Sequence, residues 1–123
     1  MSMRYGLFFT KVVGTGNDFI IIDNLNGELD ARDMDYAAMA RDICRRKSSV
    51  GADGLLVLEG SDRADLRMRI INPDGSEAEM CGNGLRCSAY YAFKNGYGSD
   101  LSIETVAGLL EARTRENRVS VKM

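Results

Sequence analysis

The chain has 123 residues, 45% of them hydrophobic and 28% charged, and a formal net charge of −2. This is the composition of a globular domain large enough for its own core, and the scattered Lys and Arg residues argue against a nucleic-acid partner. No apolar run approaches the ~20 residues of a transmembrane helix, so we expect no association with a membrane.

The first predicted elements are two β-strands joined by a glycine-rich loop. Leu7–Val13 and Phe19–Asp23 are apolar and rich in β-forming residues, and residues 14–18 (Gly-Thr-Gly-Asn-Asp) connect them. Because a strand follows the glycines where a helix would be needed, the loop is not a dinucleotide-binding fingerprint. The pattern predicts a β-hairpin, and on local grounds alone the loop is an ordinary hairpin connection.

A helix is predicted next, from Asp33 as its N-cap to about Arg46. Cys44 borders the apolar stripe of this helix and is interpreted as a small core residue. The stripe follows the i, i+3, i+4, i+7 spacing of one buried helix face. Its members are Tyr36, Met39, Ala40 and Ile43.

Two strands are predicted after this helix. Residues 50–54 form a tight turn that leads into the strand Leu55–Glu59. Apolar and basic residues then alternate from Leu66 to Ile70, which predicts a half-buried strand that ends at Asn72.

The most informative stretch is Asn72–Cys87. It begins with a Pro-Asp-Gly turn at 73–75 and continues through a short extended piece to Cys81. Two glycines within residues 82–84 are unfavourable inside a helix but acceptable in its first turn, so Cys81 is predicted at a helix N-terminus. Unpaired amide groups and the helix dipole favour an anion there, and therefore a thiolate.

The helix that follows, 85–94, is apolar nearly all round, which indicates burial on most faces. A strand at Leu101–Thr105 and a hairpin of Leu109–Thr114 with Arg118–Lys122 follow, the latter turning at 116–117. With strands before and after it, the simplest arrangement is an α+β domain in which a curled β-sheet wraps around a central helix.

Cysteine and histidine content restrict the chemistry. There are three cysteines and no histidine, so a Cys–His or Ser–His nucleophilic site cannot form within this chain. An odd cysteine count argues against a disulfide scaffold and for a reducing compartment, and we expect a cytoplasmic location. Cys44, Cys81 and Cys87 lack Cys-x-x-Cys spacing, and we expect no metal site.

Four segments of the chain resemble motifs of the diaminopimelate epimerase family, in the family's order and at about its spacings. The resemblance implies a fold in which each half of the enzyme is a curved sheet around a central helix, with residues 1–123 as the N-terminal domain and the C-terminal half absent. The four segments are Gly14–Phe19, Val50–Leu56, Asn72–Cys87 and Glu104–Gly108.

This resemblance also implies site residues. Family members invert an amino-acid α-carbon without pyridoxal phosphate or another cofactor, using two cysteines, one from each half. Cys81 matches the first cysteine, and the second does not occur in this sequence. Substrate contacts are implied at Asn17, whose amide can both donate and accept, and also at Asn72, Gly82 and Asn83.

The local sequence pattern also allows a purely structural interpretation of these residues. In that interpretation Cys81 is a structural cysteine, Asn72 begins the Pro-Asp-Gly turn, and Asn83 forms a local hydrogen bond at the start of the helix. Cys87 is expected to be packed in the helix, and Arg86 to lie on its surface.

The function implied is interconversion of LL- and meso-diaminopimelate in lysine biosynthesis, with the missing C-terminal half as partner. One alternative is a racemase for another amino acid. A second is a half-domain without catalytic activity. A homodimer that pairs two copies of Cys81 is a further possibility for the isolated chain.

Overall fold

The computed structural model describes residues 2–4, 7–13, 16–45, 52–116 and 118–122. Within these residues, nine β-strands form one curled sheet and two α-helices pack against it. The strands are β1 (Ser2–Arg4), β2 (Leu7–Val13), β3 (Asp18–Asn24), β4 (Gly54–Glu59), β5 (Leu66–Ile71), β6 (Glu77–Ala78), β7 (Asp100–Thr105), β8 (Gly108–Arg115) and β9 (Arg118–Lys122). The helices are α1 (Tyr36–Ile43) and α2 (Gly82–Lys94).

The strand order is β1-β2-β3-β4-β5-β7-β8-β9, with the short β6 paired to β5. Neighbours pair antiparallel except β3 with β4 and β5 with β7, which are parallel. A parallel pair needs a crossover connection. The first crossover contains α1 and the second contains α2, and this places the two helices on the sheet.

The two faces of the sheet bury two separate apolar clusters. Alternate residues of β3 and β4 point to opposite faces, so both strands are apolar along nearly their whole length. Helix α2 packs on one face, over residues that include Ile21, Leu56, Leu58 and Met68. Helix α1 packs on the other face, over residues that include Ile20, Ile22, Leu55 and Val57.

The predicted α+β fold, with a curled sheet around a central helix, is confirmed. Leu85 and Ala89 of α2 are fully buried, whereas Arg86 and Lys94 are exposed. The hydroxyl of Tyr91 donates to the carboxylate of Asp23 at 2.8 Å and so ties α2 to the end of β3. Among the described helices, none is long and apolar enough to cross a membrane.

The predicted start of the first helix was wrong by two residues. Asp33 has φ 48° and ends a 3₁₀ turn at Asp30–Arg32. Helix α1 begins after Asp35, whose carboxylate accepts from the backbone N–H of Ala38 at 3.0 Å and caps the first turn. Asp33 is therefore the C-cap of the preceding 3₁₀ turn, and Asp35 is the N-cap of α1.

The predicted buried face of α1 is confirmed. All four residues of the apolar stripe are buried, and Cys44 is 2% exposed as the C-cap residue. The helix ends at Ile43, short of the predicted end at Arg46. Arg46 itself lies outside the described residues, as do parts of two motif segments, namely 14–15 and 50–51, and Asn117 of the last hairpin turn.

Candidate functional site

Cys81 caps helix α2, as predicted. Its backbone is extended, with φ −149° and ψ 116°, and its sulfur accepts a hydrogen bond from the backbone N–H of Gly84 at 3.4 Å. The backbone carbonyl of Cys81 accepts from the N–H of Leu85 at 2.9 Å. The thiol is half-buried at the edge of the α2 core cluster. A polarisable sulfur therefore lies at the positive end of a helix dipole, within reach of the chain surface.

Gly84 allows the first turn of α2 to approach the sheet closely. A Cβ atom at this position would lie 3.2 Å from Cδ2 of Leu56 and 3.6 Å from Cβ of Cys81. A larger residue would require the Leu56 side chain or the helix start to shift by a few tenths of an ångström. Close packing against β4 therefore accounts for the glycine at position 84, one of the two glycines in the first turn of α2.

Asn17 and Asn83 are brought together from positions 66 residues apart. Nδ2 of Asn83 donates to Oδ1 of Asn17 at 2.6 Å. Asn83 lies in the first turn of α2, two residues after Cys81, and Asn17 immediately precedes β3. Two of the three side-chain amides that were predicted as substrate contacts therefore lie together beside the helix end that carries the thiol.

Gly82 is the first residue of α2 and is half-buried. A Cβ atom there would lie 3.5 Å from a guanidinium nitrogen of Arg86. Backbone N–H groups in the first turn of a helix have no carbonyl partner within the helix. Those of residues 82 and 83 are therefore of the kind that can bind a carboxylate.

Asn72 lies at the same end of the sheet but is bonded elsewhere. Phe19 pairs with Gly54 and Leu55 pairs with Ile71, so Asn72, which follows Ile71, lies in the row that contains Gly54. Its side-chain Nδ2 donates to Oγ of Ser76 at 3.0 Å. Among the hydrogen bonds of the described residues, its amide is thus engaged in its own turn and is not joined to the pair of Asn17 and Asn83.

Helix α1 lies against the turn that follows Asn72. The N–H of Gly75 donates to the carbonyl of Asn72 at 2.9 Å, and Gly75 has φ +93°. A Cβ atom on Gly75 would collide with the guanidinium of Arg41 and lie 3.2 Å from the carbonyl of Ala37. The Ser76 hydroxyl and N–H, which both donate to Asp74, lower the pKa of that carboxyl group.

Asp53 was not predicted as a site residue, and the structure shows that it joins the start of β4 to the start of β3. Its Oδ2 accepts from the backbone N–H of Asp18 at 2.7 Å and from Nδ2 of Asn17 at 3.5 Å. Its own N–H donates to the carbonyl of Asp18 at 2.8 Å. A signal was present, since an acidic residue between two small residues directly precedes a buried strand, but its partners are 35 and 36 residues away.

The other two cysteines are buried, as predicted. Cys44 and Cys87 are 2% and 7% exposed. Burial raises the pKa of the Cys87 thiol, and the nearby Cys81 adds to the shift. Arg86 lies on the helix surface, as predicted, and its guanidinium donates to Oδ1 of Asn83 at 3.3 Å.

The fourth motif segment forms a hairpin connection. Oγ1 of Thr105 donates to the carbonyl of Gly108 at 3.0 Å, and Gly108 has φ +130°. The carboxylate of Glu104 accepts from the hydroxyl of Ser61 at 2.7 Å, which fixes the loop before β5. Within the described residues, no group of three or more His, Cys, Asp or Glu side chains could hold a metal ion.

Comparison with known proteins identifies the family to which the chain is similar. Residues 9–123 match the family model described as diaminopimelate epimerase. The chain is 50% identical over 113 residues to the diaminopimelate epimerase of Methanothrix thermoacetophila, covering 91% of this chain and 40% of that protein. It is 46% identical over 117 residues to that of Archaeoglobus fulgidus, covering 94% and 41%. The chain thus spans about two fifths of the length of these relatives.

A solved structure shares the fold. It is the phenazine biosynthesis protein of the PhzF family from Bacillus anthracis, with a TM-score of 0.61 and 24% identity over 92% of this chain and 37% of that chain. At this level of identity the likeness concerns the fold alone.

Proposed function

The chain belongs to the diaminopimelate epimerase family, and we propose on that basis that it forms one half of the active site of a cofactor-independent amino-acid epimerase. The substrate is diaminopimelate, interconverted between its LL and meso forms. The second half of the site comes from the part of the enzyme that this chain does not span. Because the reaction needs a free thiol, a reducing compartment such as the cytoplasm is the proposed location.

The proposed chemistry is a proton exchange at the α-carbon. The thiolate of Cys81 takes the α-proton, and the electron pair left on carbon moves toward the α-carboxylate. A thiol on the opposite face, from the second half, then gives its proton to that carbon and is left as a thiolate. One proton leaves and one arrives, so configuration inverts and no redox partner or cofactor takes part.

The observation that carries this proposal is the position of Cys81 at the start of α2. A carboxylate bound at the first turn would receive N–H groups there, and negative charge that develops on it would meet the positive helix end. The α-carbon of an amino acid held in this way lies next to its carboxylate and therefore close to the capping thiol. A cysteine elsewhere on the helix would not combine both functions.

We assign the substrate contacts as follows. Gly82 and the backbone of Asn83 are proposed to bind the α-carboxylate. The side-chain amides of Asn17 and Asn83 are proposed to bind polar groups of the substrate, since an amide both donates and accepts. Asn72 is proposed as a further contact, which requires that its amide exchange Ser76 for the substrate.

The experiment joins this chain to the remainder of the Methanothrix thermoacetophila relative. The hybrid is incubated with LL-diaminopimelate in deuterated water, and meso product and α-deuterium are measured. Cys81→Ala should lower the rate by about 10²–10⁴-fold, the usual contribution of an acid–base group. Cys87→Ala, a buried thiol on the same helix, is the matched control and should retain activity.

Two outcomes would contradict the proposal. Retention of epimerisation in Cys81→Ala would remove the thiol from the mechanism. Inversion of other amino acids at rates above that of diaminopimelate would favour the alternative of a racemase with another substrate.

A further inference from the structure

A line of four polar side chains crosses the candidate site from the sheet to the surface of α2. Nδ2 of Asn17 lies 3.5 Å from Oδ2 of Asp53, and Oδ1 of Asn17 accepts from Nδ2 of Asn83 at 2.6 Å. Oδ1 of Asn83 accepts from Nη1 of Arg86 at 3.3 Å. The line therefore runs Asp53, Asn17, Asn83, Arg86.

The two ends of this line differ in hydrogen-bonding character from its middle. A carboxylate only accepts hydrogen bonds and a guanidinium only donates them. A side-chain amide does both, and its two ends are nearly equal in shape, so rotation by 180° exchanges donor and acceptor. The hydrogen-bonding role is therefore fixed for Asp53 as acceptor and for Arg86 as donor, whereas each asparagine amide can exchange its donor and acceptor by rotation.

Only one arrangement of the amides satisfies all three contacts. Asn17 must turn its NH₂ group toward Asp53, which leaves its oxygen for Asn83. Asn83 must then turn its NH₂ group toward Asn17, which leaves its oxygen for Arg86. If either amide rotates, one contact places two donors together and another places two oxygens together.

From this geometry we propose that Asp53 and Arg86 are positioning residues that set the orientation of the Asn17 and Asn83 amides. The orientation of the amides is inferred from the hydrogen bonds alone. Its consequence, that the substrate meets donor and acceptor atoms in a fixed arrangement, rests on the proposed function. Asp53 is itself fixed, because its Oδ2 also accepts the backbone N–H of Asp18 at 2.7 Å. Arg86 is placed by its position three residues after Asn83 on the same helix.

The test observes the amides directly in the ligand-free chain and does not depend on catalysis. Side-chain NH₂ resonances are assigned in ¹⁵N–¹H spectra by the pairs of signals lost in Asn17→Asp and Asn83→Asp. Their exchange with solvent and their chemical shifts are then measured. The short contact of 2.6 Å predicts a downfield, slowly exchanging proton on Asn83.

Asp53→Ala removes the acceptor and should speed this exchange about twofold to fivefold, as for the loss of one long hydrogen bond. Asp53→Asn is the conservative variant. The N–H of Asp18 requires the oxygen of the new amide to take the place of Oδ2, so the slow exchange should be largely restored. The backbone bond from Asp53 to Asp18 remains in both variants and keeps the strand start in place.

At the other end, Arg86→Met removes the donor and Arg86→Lys retains one. Faster exchange in Arg86→Met that returns toward the original rate in Arg86→Lys supports the proposal. Unchanged Asn17 and Asn83 signals in Asp53→Ala, or equal effects of the alanine and asparagine variants, would overturn it. A hybrid enzyme without epimerase activity would disprove the proposed function and leave this result standing.

Discussion

The sulfur of Cys81 accepts a hydrogen bond from the backbone N–H of Gly84, three residues later in the first turn of α2, at 3.4 Å. The side chain of an N-cap residue usually bonds to the N–H of the second or third helical residue, and this role falls mostly to Ser, Thr, Asp or Asn. Here a thiol fills it. The cap contact holds the sulfur at the positive end of the helix.

Cys81 should react with an alkylating agent much faster than the other two cysteines. It is half-buried at a helix start, whereas Cys44 and Cys87 are buried and the pKa of Cys87 is raised by burial. Mass-mapped labelling with iodoacetamide over time at neutral pH measures the three rates, and unfolding with denaturant should make them similar. Equal labelling of all three thiols in the folded protein would contradict the assignment.

Ala89→Asp should strongly destabilise the protein. Ala89 is fully buried in the α2 core cluster, and an unpaired buried charge costs about 3–5 kcal/mol, against a total stability of about 5–15 kcal/mol for a small domain. Circular dichroism and urea unfolding give the result. Arg86→Asp places the same charge at an exposed position of the same helix and should remain folded. A stable Ala89→Asp protein would show that the helix is not central to the core.

Gly75→Ala should destabilise the protein more than Gly96→Ala. Both glycines have left-handed backbones, with φ +93° and φ +85°, so both substitutions cost about 1–2 kcal/mol. Only Gly75 faces neighbours, since its Cβ would meet Arg41 and Ala37, whereas nothing lies within 4 Å of a Cβ at Gly96. An additional loss of about 1 kcal/mol or more is expected for Gly75.

Urea unfolding of both variants measures this difference. Because both variants lose about the same free energy from the left-handed backbone, the difference between them measures the contribution of packing between α1 and the turn after Asn72. Equal losses would mean that the turn does not depend on α1.

Glu77→Gln should destabilise the protein near neutral pH and have little effect in acid. The carboxylate of Glu77 accepts two hydrogen bonds from Arg69, at 3.0 and 3.1 Å, and these lower its pKa. A lowered folded-state pKa gives stability that is present above the unfolded value of about 4.3 and is lost as pH falls through the folded value.

The expected difference between the two proteins is about 1 kcal/mol at pH 7, reduced by solvent screening of this half-exposed pair. It should vanish below the folded pKa. Urea unfolding at a series of pH values tests the curve, and a difference that grows as pH falls would reverse the assigned sign.

The chain by itself should not invert diaminopimelate. Among its three cysteines, Cys44 and Cys87 are buried, so Cys81 is the thiol available for proton transfer from one face. Incubation with LL-diaminopimelate in deuterated water should therefore yield no meso product. Meso product with α-deuterium, lost in Cys81→Ala, would falsify this expectation and favour a homodimer that pairs two copies of Cys81.

Much of the local structure was decided by residues close together in the chain. The burial of Tyr36, Met39, Ala40 and Ile43 follows from helical spacing. The cap at Cys81 follows from a Pro-Asp-Gly turn before it and a glycine pair after it. In each case the determining interactions reach no further than a few residues, so the sequence displays them directly.

Other features depended on the tertiary structure. Either Asp33 or Asp35 could be the N-cap from the sequence alone. The structure excludes Asp33, because this residue ends a 3₁₀ turn and lies in the left-handed region. The parallel pairing of β3 with β4, and the placement of α1 and α2 on opposite faces, came from crossover connections that local patterns do not specify.

The candidate site likewise has one part that was predictable from the sequence and one part that was not. Cys81 was predictable because its own helix end determines its environment. The line from Asp53 through Asn17 to Asn83 was not, since its members lie up to 66 residues apart and meet only when strand starts and a helix start converge at one end of the sheet. Short-range backbone preferences act within a turn, whereas the position of a distant side chain is decided by packing of the whole core.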